Sequence, residues 1–212
     1  MPILRAPHPI APGNTTRTSR PSTSRPSQAT ATAPSMATAR TPAVTSVRTH
    51  PEKSDDTMNA QTYYATNQTP QLQDSFNSGI WSSLEKAVRS LTSGSDTLYV
   101  ATGPCYQTVG GKETVRYLTA VSSTTPQQVP VPNYYWKAIL KIKTTNGYIT
   151  DACAIGIWLE HKAYKDSDYT QHIVSIDDIE SKTGFDLFAG LPEYLEAVVE
   201  AAKPSWSEFS NF

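Results

Sequence analysis

The chain has 212 residues, enough for one domain of ordinary size with room for a tail. Its formal net charge of -1 provides no general attraction to a nucleic-acid or membrane surface, and no stretch approaches the ~20 apolar residues of a membrane span. The totals conceal two unlike parts. Residues 1–50 carry six Arg and no Asp, Glu, Lys or aromatic residue, so all 19 acidic residues and 12 of the 18 Lys+Arg lie beyond them, a formal charge of about -7 there. That acidity excludes a broad basic groove; any contact with nucleic acid has to be local and helped by a cation.

Residues 1–55 form a low-complexity segment rich in Thr, Ser, Pro, Ala and Arg. Lacking aromatics through residue 50, it cannot bury enough apolar area to offset chain entropy and is expected to be disordered. An Arg/Ser-rich, acid-free start has the composition of an organelle transit peptide, and a Ser/Thr/Pro stretch that of a surface stalk. A third reading is that the segment stands where a part of the domain should be. No apolar signal-peptide core is present, so a soluble protein is expected, with its compartment open between intracellular and exported.

Residues 56–212 read as the folded domain. Gln61–Thr66 has the pattern of a short strand. Asn77–Leu91 predicts an amphipathic helix, because Ile80, Trp81, Leu84, Val88 and Leu91 fall on one face at ~100° per residue. Thr97–Thr102 predicts a strand ended by Gly103-Pro104, and Thr114–Val121 and Tyr134–Lys143 predict further strands rich in β-branched and aromatic residues. Ala152–Leu159 is almost wholly apolar, the mark of a central strand buried on both faces. Ser175 and Asp178 have capping-box spacing for a short helix that stops at Gly184. Pro192 falls in the first turn of a last helix carrying Leu195, Val198 and Val199. Cys105 and Cys153 sit in apolar strand-like runs and read as buried free thiols, a single bridge being the alternative. The pattern is α+β, a mostly antiparallel central sheet flanked by helices.

Four stretches in order carry a family resemblance. They are Thr66-Asn67-Gln68-Thr69-Pro70-Gln71; Asn77-Ser-Gly79-Ile-Trp81-Ser-Ser-Leu84-Glu85 followed by Arg89; Leu98-Tyr-Val-Ala-Thr-Gly-Pro104; and Val131-Pro-Asn-Tyr-Tyr-Trp-Lys137, with Val174–Glu180 and Thr183–Phe188 beyond it. Together they resemble the DNA/RNA non-specific endonucleases, metal-dependent nucleases of ββα-metal architecture. The resemblance implies hydrolysis of phosphodiester bonds in DNA and RNA without sequence choice. It also implies Mg²⁺ or another divalent cation, held by the side-chain oxygen of Asn77 and otherwise by waters and substrate phosphate. A hard cation that keeps its waters suits so sparse an oxygen site. On the same basis Glu85 hydrogen-bonds a water of the metal, Arg89 offsets phosphate charge and Asn67 orients the site. From the residues alone, Asn77 could equally be a helix N-cap, Glu85 and Arg89 a solvated i,i+4 pair, and Asn67 a turn residue.

One motif departs from the family. Its general base is a His in Asp-Arg-Gly-His, about thirty residues before the metal-binding Asn; here Val47-Arg48-Thr49-His50 occupies that place. Arg48, as a phosphate contact, and His50, as the base, match; the Asp and Gly do not, and Pro51 follows at once. A base has to be held within hydrogen-bond reach of its water, so the same sequence also supports a nuclease fold that binds without cutting. His161 and His172 match no catalytic block and read as surface polar residues.

Overall fold

A computed structural model describes residues 43–46, 68–91, 97–121 and 126–212. The predicted strand at 61–66, and with it Arg48, His50 and Asn67, lies outside them. The central element is an antiparallel sheet in the order β3-β6-β7-β8, formed by Thr97–Cys105, Tyr134–Thr145, Tyr148–Glu160 and Ile173–Val174. Strands β6 and β7 make one long hairpin that turns at Asn146-Gly147, with φ of 54° and 80°; an Asn-Gly pair supplies this positive-φ geometry in two-residue hairpins. Two short antiparallel pairs stand beside the sheet: β1 (Ala43–Ser46) with β2 (Gln68–Gln71), and β4 (Arg116–Val121) with β5 (Pro126–Val131).

Alternation along β6 divides the interior into two cores, as the period-2 geometry of a strand requires. Tyr135 and Ile139, with Ile155, Ile157 and Leu159 of β7, face one way, under Phe76, Ile80, Trp81, Leu84, Val88 and Phe209. Trp136, Ala138, Leu140 and Ile142, with Ala152 and Ala154, face the other way, against Ile176, Ile179, Leu191 and Val199. Helix α1 (Ser82–Ser90) therefore packs on one face of the sheet, and α2 (Ile176–Thr183) and α3 (Glu193–Ala201) pack on the other. Each fully buried side chain of Leu or Phe size contributes about 1.5–3 kcal/mol, which explains why β6 and β7 are apolar along both faces. β7 lies between β6 and β8, as the run Ala152–Leu159 predicts.

Helix α2 follows its sequence signals closely. The Ser175 side chain accepts from Asp178 N–H, and Gly184 ends the helix at φ 74°. The predicted helix Asn77–Leu91 is regular only from Ser82, because Asp74, Ser75 and Gly79 depart from helical backbone in the preceding segment Gln73–Trp81. The helix at Pro192 is not the last: α4 (Trp206–Asn211) follows, opened by a capping box between Ser205 and Glu208. In α3 the apolar stripe runs through Leu195 and Val199, and Val198 is 69% exposed. Within the low-complexity segment, Ala43–Ser46 pair with Gln68–Gln71 as a strand. Cys105 and Cys153 are free thiols, and they belong to opposite faces of the sheet.

Candidate metal and phosphate site

Asn77 lies in the irregular turn in front of α1. Its N–H donates to Leu72 O, five residues back, at 2.9 Å, and Ser82 N–H donates to the carbonyls of Asn77 and Gly79. The turn is thus widened, and Asn77, five residues ahead of Ser82, is not the N-cap of α1. The Asn77 Nδ2 donates to Gln73 Oε1 at 3.1 Å, which fixes the amide plane and orients its oxygen as the group that can take a cation. Ser78 Oγ braces the same turn through Gln73 O at 2.8 Å.

Two side chains from the sheet hold this stretch in place. The Tyr135 hydroxyl donates to Pro70 O at 2.9 Å and lies 2.9 Å from Thr69 Oγ1. His161, 5% exposed, accepts from Leu72 N–H at Nε2, 2.9 Å away, and its Nδ1 lies 2.8 Å from Pro132 O. Because Nε2 accepts, Nδ1 carries the proton and donates to Pro132; the ring is neutral. Burial pushes His161 below its ordinary value, ahead of the opposing Pro132 bond and the Arg116 charge acting in the same direction. Phe76, next to Asn77, packs against both anchors, with ring centroids 4.9 Å from His161 and 5.3 Å from Tyr135. The expectation of a surface role for His161 is therefore corrected: it is an internal clamp. His172 is half-buried and stacks edge-on to Tyr164 at 5.2 Å. Neither location is signalled in the sequence, since His tolerates core and surface alike.

On α1, Glu85 and Arg89 are one turn apart and half-buried. Burial raises the Glu85 carboxyl above its ordinary value, against the pull of Lys137, then Arg89, then the Trp81 side chain. The Trp81 indole N–H lies outside hydrogen-bond geometry. Lys137, from β6, is 2% exposed; its Nζ donates to Thr102 Oγ1 at 2.8 Å and sits 4.9 Å above the Trp81 ring. Burial pushes Lys137 down to about 8, resisted by Glu85 and assisted by Arg89. Glu85 thus has two cations, Lys137 and Arg89, as its charged neighbours on the helix that follows the Asn77 turn. Lys137 was visible at the end of the Val131–Lys137 block as the first of three lysines in an otherwise largely apolar strand, but nothing in the strand pattern says which helix it meets.

Residues 47–194, more than half the chain, match the model of the DNA/RNA non-specific endonuclease family. The chain belongs to that family. The matched region opens at Val47, so it includes Arg48, His50 and Asn67. Among curated relatives of this chain, a nuclease of Serratia marcescens is 30% identical over 144 residues, covering 65% of this chain and 47% of the relative. Nuclease C1 of Cunninghamella echinulata var. echinulata is 33% identical over 133 residues, 60% and 49% of the two chains. Nuclease 1, mitochondrial, of Schizosaccharomyces pombe is 27% identical, with 66% and 43% covered. A crystal structure of an EndoG/EndoGI complex contains a chain that superposes with a TM-score of 0.50 at 25% identity, covering 64% of this chain and 54% of that one. The chain spans about half the length of the curated relatives it matches. The α+β, ββα-metal fold class read from the sequence is that of the endonuclease family, whose members are metal-dependent.

Of the predicted site residues, Glu85 and Arg89 meet at one place with Lys137, and Asn77 stands immediately ahead of their helix. Arg48, His50 and Asn67 lie outside the described residues. The donors present suit a hard divalent cation: an amide oxygen at Asn77, with the Glu85 carboxylate on the helix that follows, leaves most of the coordination shell to water. No helix among the described residues is long and apolar enough to cross a membrane.

Proposed function

We propose that this chain is a divalent-metal-dependent endonuclease that hydrolyses phosphodiester bonds of DNA and RNA without sequence choice, with Mg²⁺ as its cation. The reading is supported by Glu85 and Arg89, charged neighbours of buried Lys137, on the helix that follows the braced turn of Asn77. When bound, a divalent cation polarises the phosphate and stabilises charge on the leaving oxygen. Asn77 offers its amide oxygen as the protein ligand. Lys137 and Arg89 favour an ionised Glu85 against the cost of burial, so that it can accept a hydrogen bond from water. Arg89, with Arg48, offsets phosphate charge, and Asn67 orients the site. His50 stands at the family's base position in a degenerate motif, so cleavage by this chain leans on the cation and its neighbours more than on a general base.

A second reading, a nuclease fold that binds without cutting, is favoured by one observation: Val47 and Thr49 stand where the family's motif has Asp and Gly. The test is incubation of the purified chain with supercoiled plasmid and with single-stranded RNA, in Mg²⁺ or in EDTA. Cleavage of both substrates in Mg²⁺ and of neither in EDTA is expected. Retention of both substrates on a gel with no cleavage would select the second reading, and cleavage that survives EDTA would overturn the first.

A further inference from the structure

A separate cluster of carboxylates lies on the opposite face of the sheet. Asp177 and Glu180 come from α2 and Glu200 from the C-terminal end of α3, and one ligand oxygen of each lies within 4.8 Å of the others. Acidic clusters are common and mean little alone, but Glu200 adds an independent observation. It is 6% exposed, and its Oε1 is buried with no hydrogen-bond partner. A buried ionised oxygen without a partner is strongly unfavourable, and here the surrounding charges compound the cost. The charged groups around Glu200 are Glu180, Glu196, Asp177 and Asp186, all of one sign. Its place in the last turn of α3 sets it against the helix dipole as well. Glu180, by contrast, is positioned: its Oε1 accepts from Leu187 N–H at 2.6 Å, which leaves its second oxygen for another bond.

We infer that Asp177, Glu180 and Glu200 form a second divalent-cation site, of calcium type, that pins α3 to α2. Oxygen separations within 4.8 Å fit a coordination sphere of radius about 2.3–2.6 Å, the Ca²⁺ range, and an all-carboxylate set completed by water suits Ca²⁺ better than the strict octahedron of Mg²⁺. The site is distinct from the Asn77 region, since α2 and α3 cover one face of the sheet and α1 the other. It also joins two parts of the chain that the family match separates: Asp177 and Glu180 fall within residues 47–194, and Glu200 lies beyond them. The site's role is structural, a clamp that secures the second core by neutralising a patch that otherwise repels itself.

The test is Ca²⁺ titration of the metal-stripped full chain, by calorimetry and by urea unfolding. One-site binding heat is expected, with a rise in the folding equilibrium constant of about a hundredfold when free Ca²⁺ is a hundred times Kd. Tyr148→Ser, at the exposed turn of the β6–β7 hairpin, should leave both signals unchanged. Glu200→Gln should remove them, and Asp177→Asn, at an exposed position that does not endanger folding, should weaken binding at least tenfold. Absence of Ca²⁺ heat and of stabilisation in the parent chain would overturn the inference. So would signals that persist in Asp177→Asn and Glu200→Gln, or that vanish in Tyr148→Ser.

Discussion

Replacing His161 tests how the Asn77 turn is held. In His161→Ala, the part-buried Leu72 N–H loses its acceptor and Pro132 O its donor. An unsatisfied buried donor costs about 1–3 kcal/mol and an ordinary lost hydrogen bond about 0.5–1.5. The ring contacts with Phe76 and Tyr135, at 4.9 and 5.2 Å, contribute about 0.5–1.5 kcal/mol each. Since these losses overlap, a fall of about 3–5 kcal/mol in unfolding free energy is expected, a large part of the ~5–15 kcal/mol typical of a domain. The pH dependence identifies the mechanism. The folded His161 has its pKa lowered and is neutral, so the unfolded chain, at about 6.5, binds the proton first. The stabilisation is full above about pH 6.5 and is lost as pH falls through that value, with a slope of at most about 1.36 kcal/mol per pH unit for one proton. His161→Gln can still accept from Leu72 and donate to Pro132 but does not titrate. Urea unfolding at pH 7.5 and pH 5 should show the parent losing stability relative to His161→Gln as pH falls; comparing the two cancels the contribution of His172. Parallel behaviour of the two proteins across that range would refute the neutral clamp.

Three further outcomes are expected. Lys137 is charged only below about 8, so cleavage should fall as pH rises through that value, and Lys137→Met should lower the rate about 10–100-fold and abolish that falling limb in a pH–rate profile. Gly156→Ala places a Cβ 2.9 Å from the backbone oxygens of Val174 and Ser175; these cannot retreat without opening β8 from β7, so the urea midpoint should drop by the equivalent of about 1–3 kcal/mol. General-base help is worth about 10²–10⁴ in rate, so with a degenerate motif His50→Ala should change plasmid cleavage little, whereas Val47→Asp combined with Thr49→Gly should raise it; strong parent cleavage lost in His50→Ala would show that His50 is already held in the site.

Much of the fold was legible because burial imposes periodicity. The run Ala152–Leu159 could be so apolar only between covered faces, and Ser175, Asp178 and Gly184 carry α2's end signals in their own chemistry. What escaped depended on partners distant in the chain. Nothing near His161 announces that Leu72, 89 positions away, will donate to it, and Lys137 acquires its meaning only when α1 lays Glu85 above it. The break in the helix at Asn77–Gly79 was missed because apolar spacing carries through it, while Gly79 and the backbone of Ser75 do not. The last helix had a readable signal in Ser205-Trp-Ser-Glu208, overlooked beside the stronger stripe of α3. The site's helix block was recognisable, but its order around Asn77 is set by Tyr135 and His161, which no local pattern ties to it.

The most direct measurement of the central claim is the initial rate of plasmid nicking as Mg²⁺ is titrated, for the parent chain and for Asn77→Ala, with unfolding curves confirming that both are folded. If Asn77 is the protein's ligand at the cleavage site, the parent rate rises and saturates with Mg²⁺, and Asn77→Ala lowers it about a hundredfold or more, beyond what an outer contact would cost. An Asn77→Ala chain that nicks at the parent rate over the same Mg²⁺ range would contradict the account.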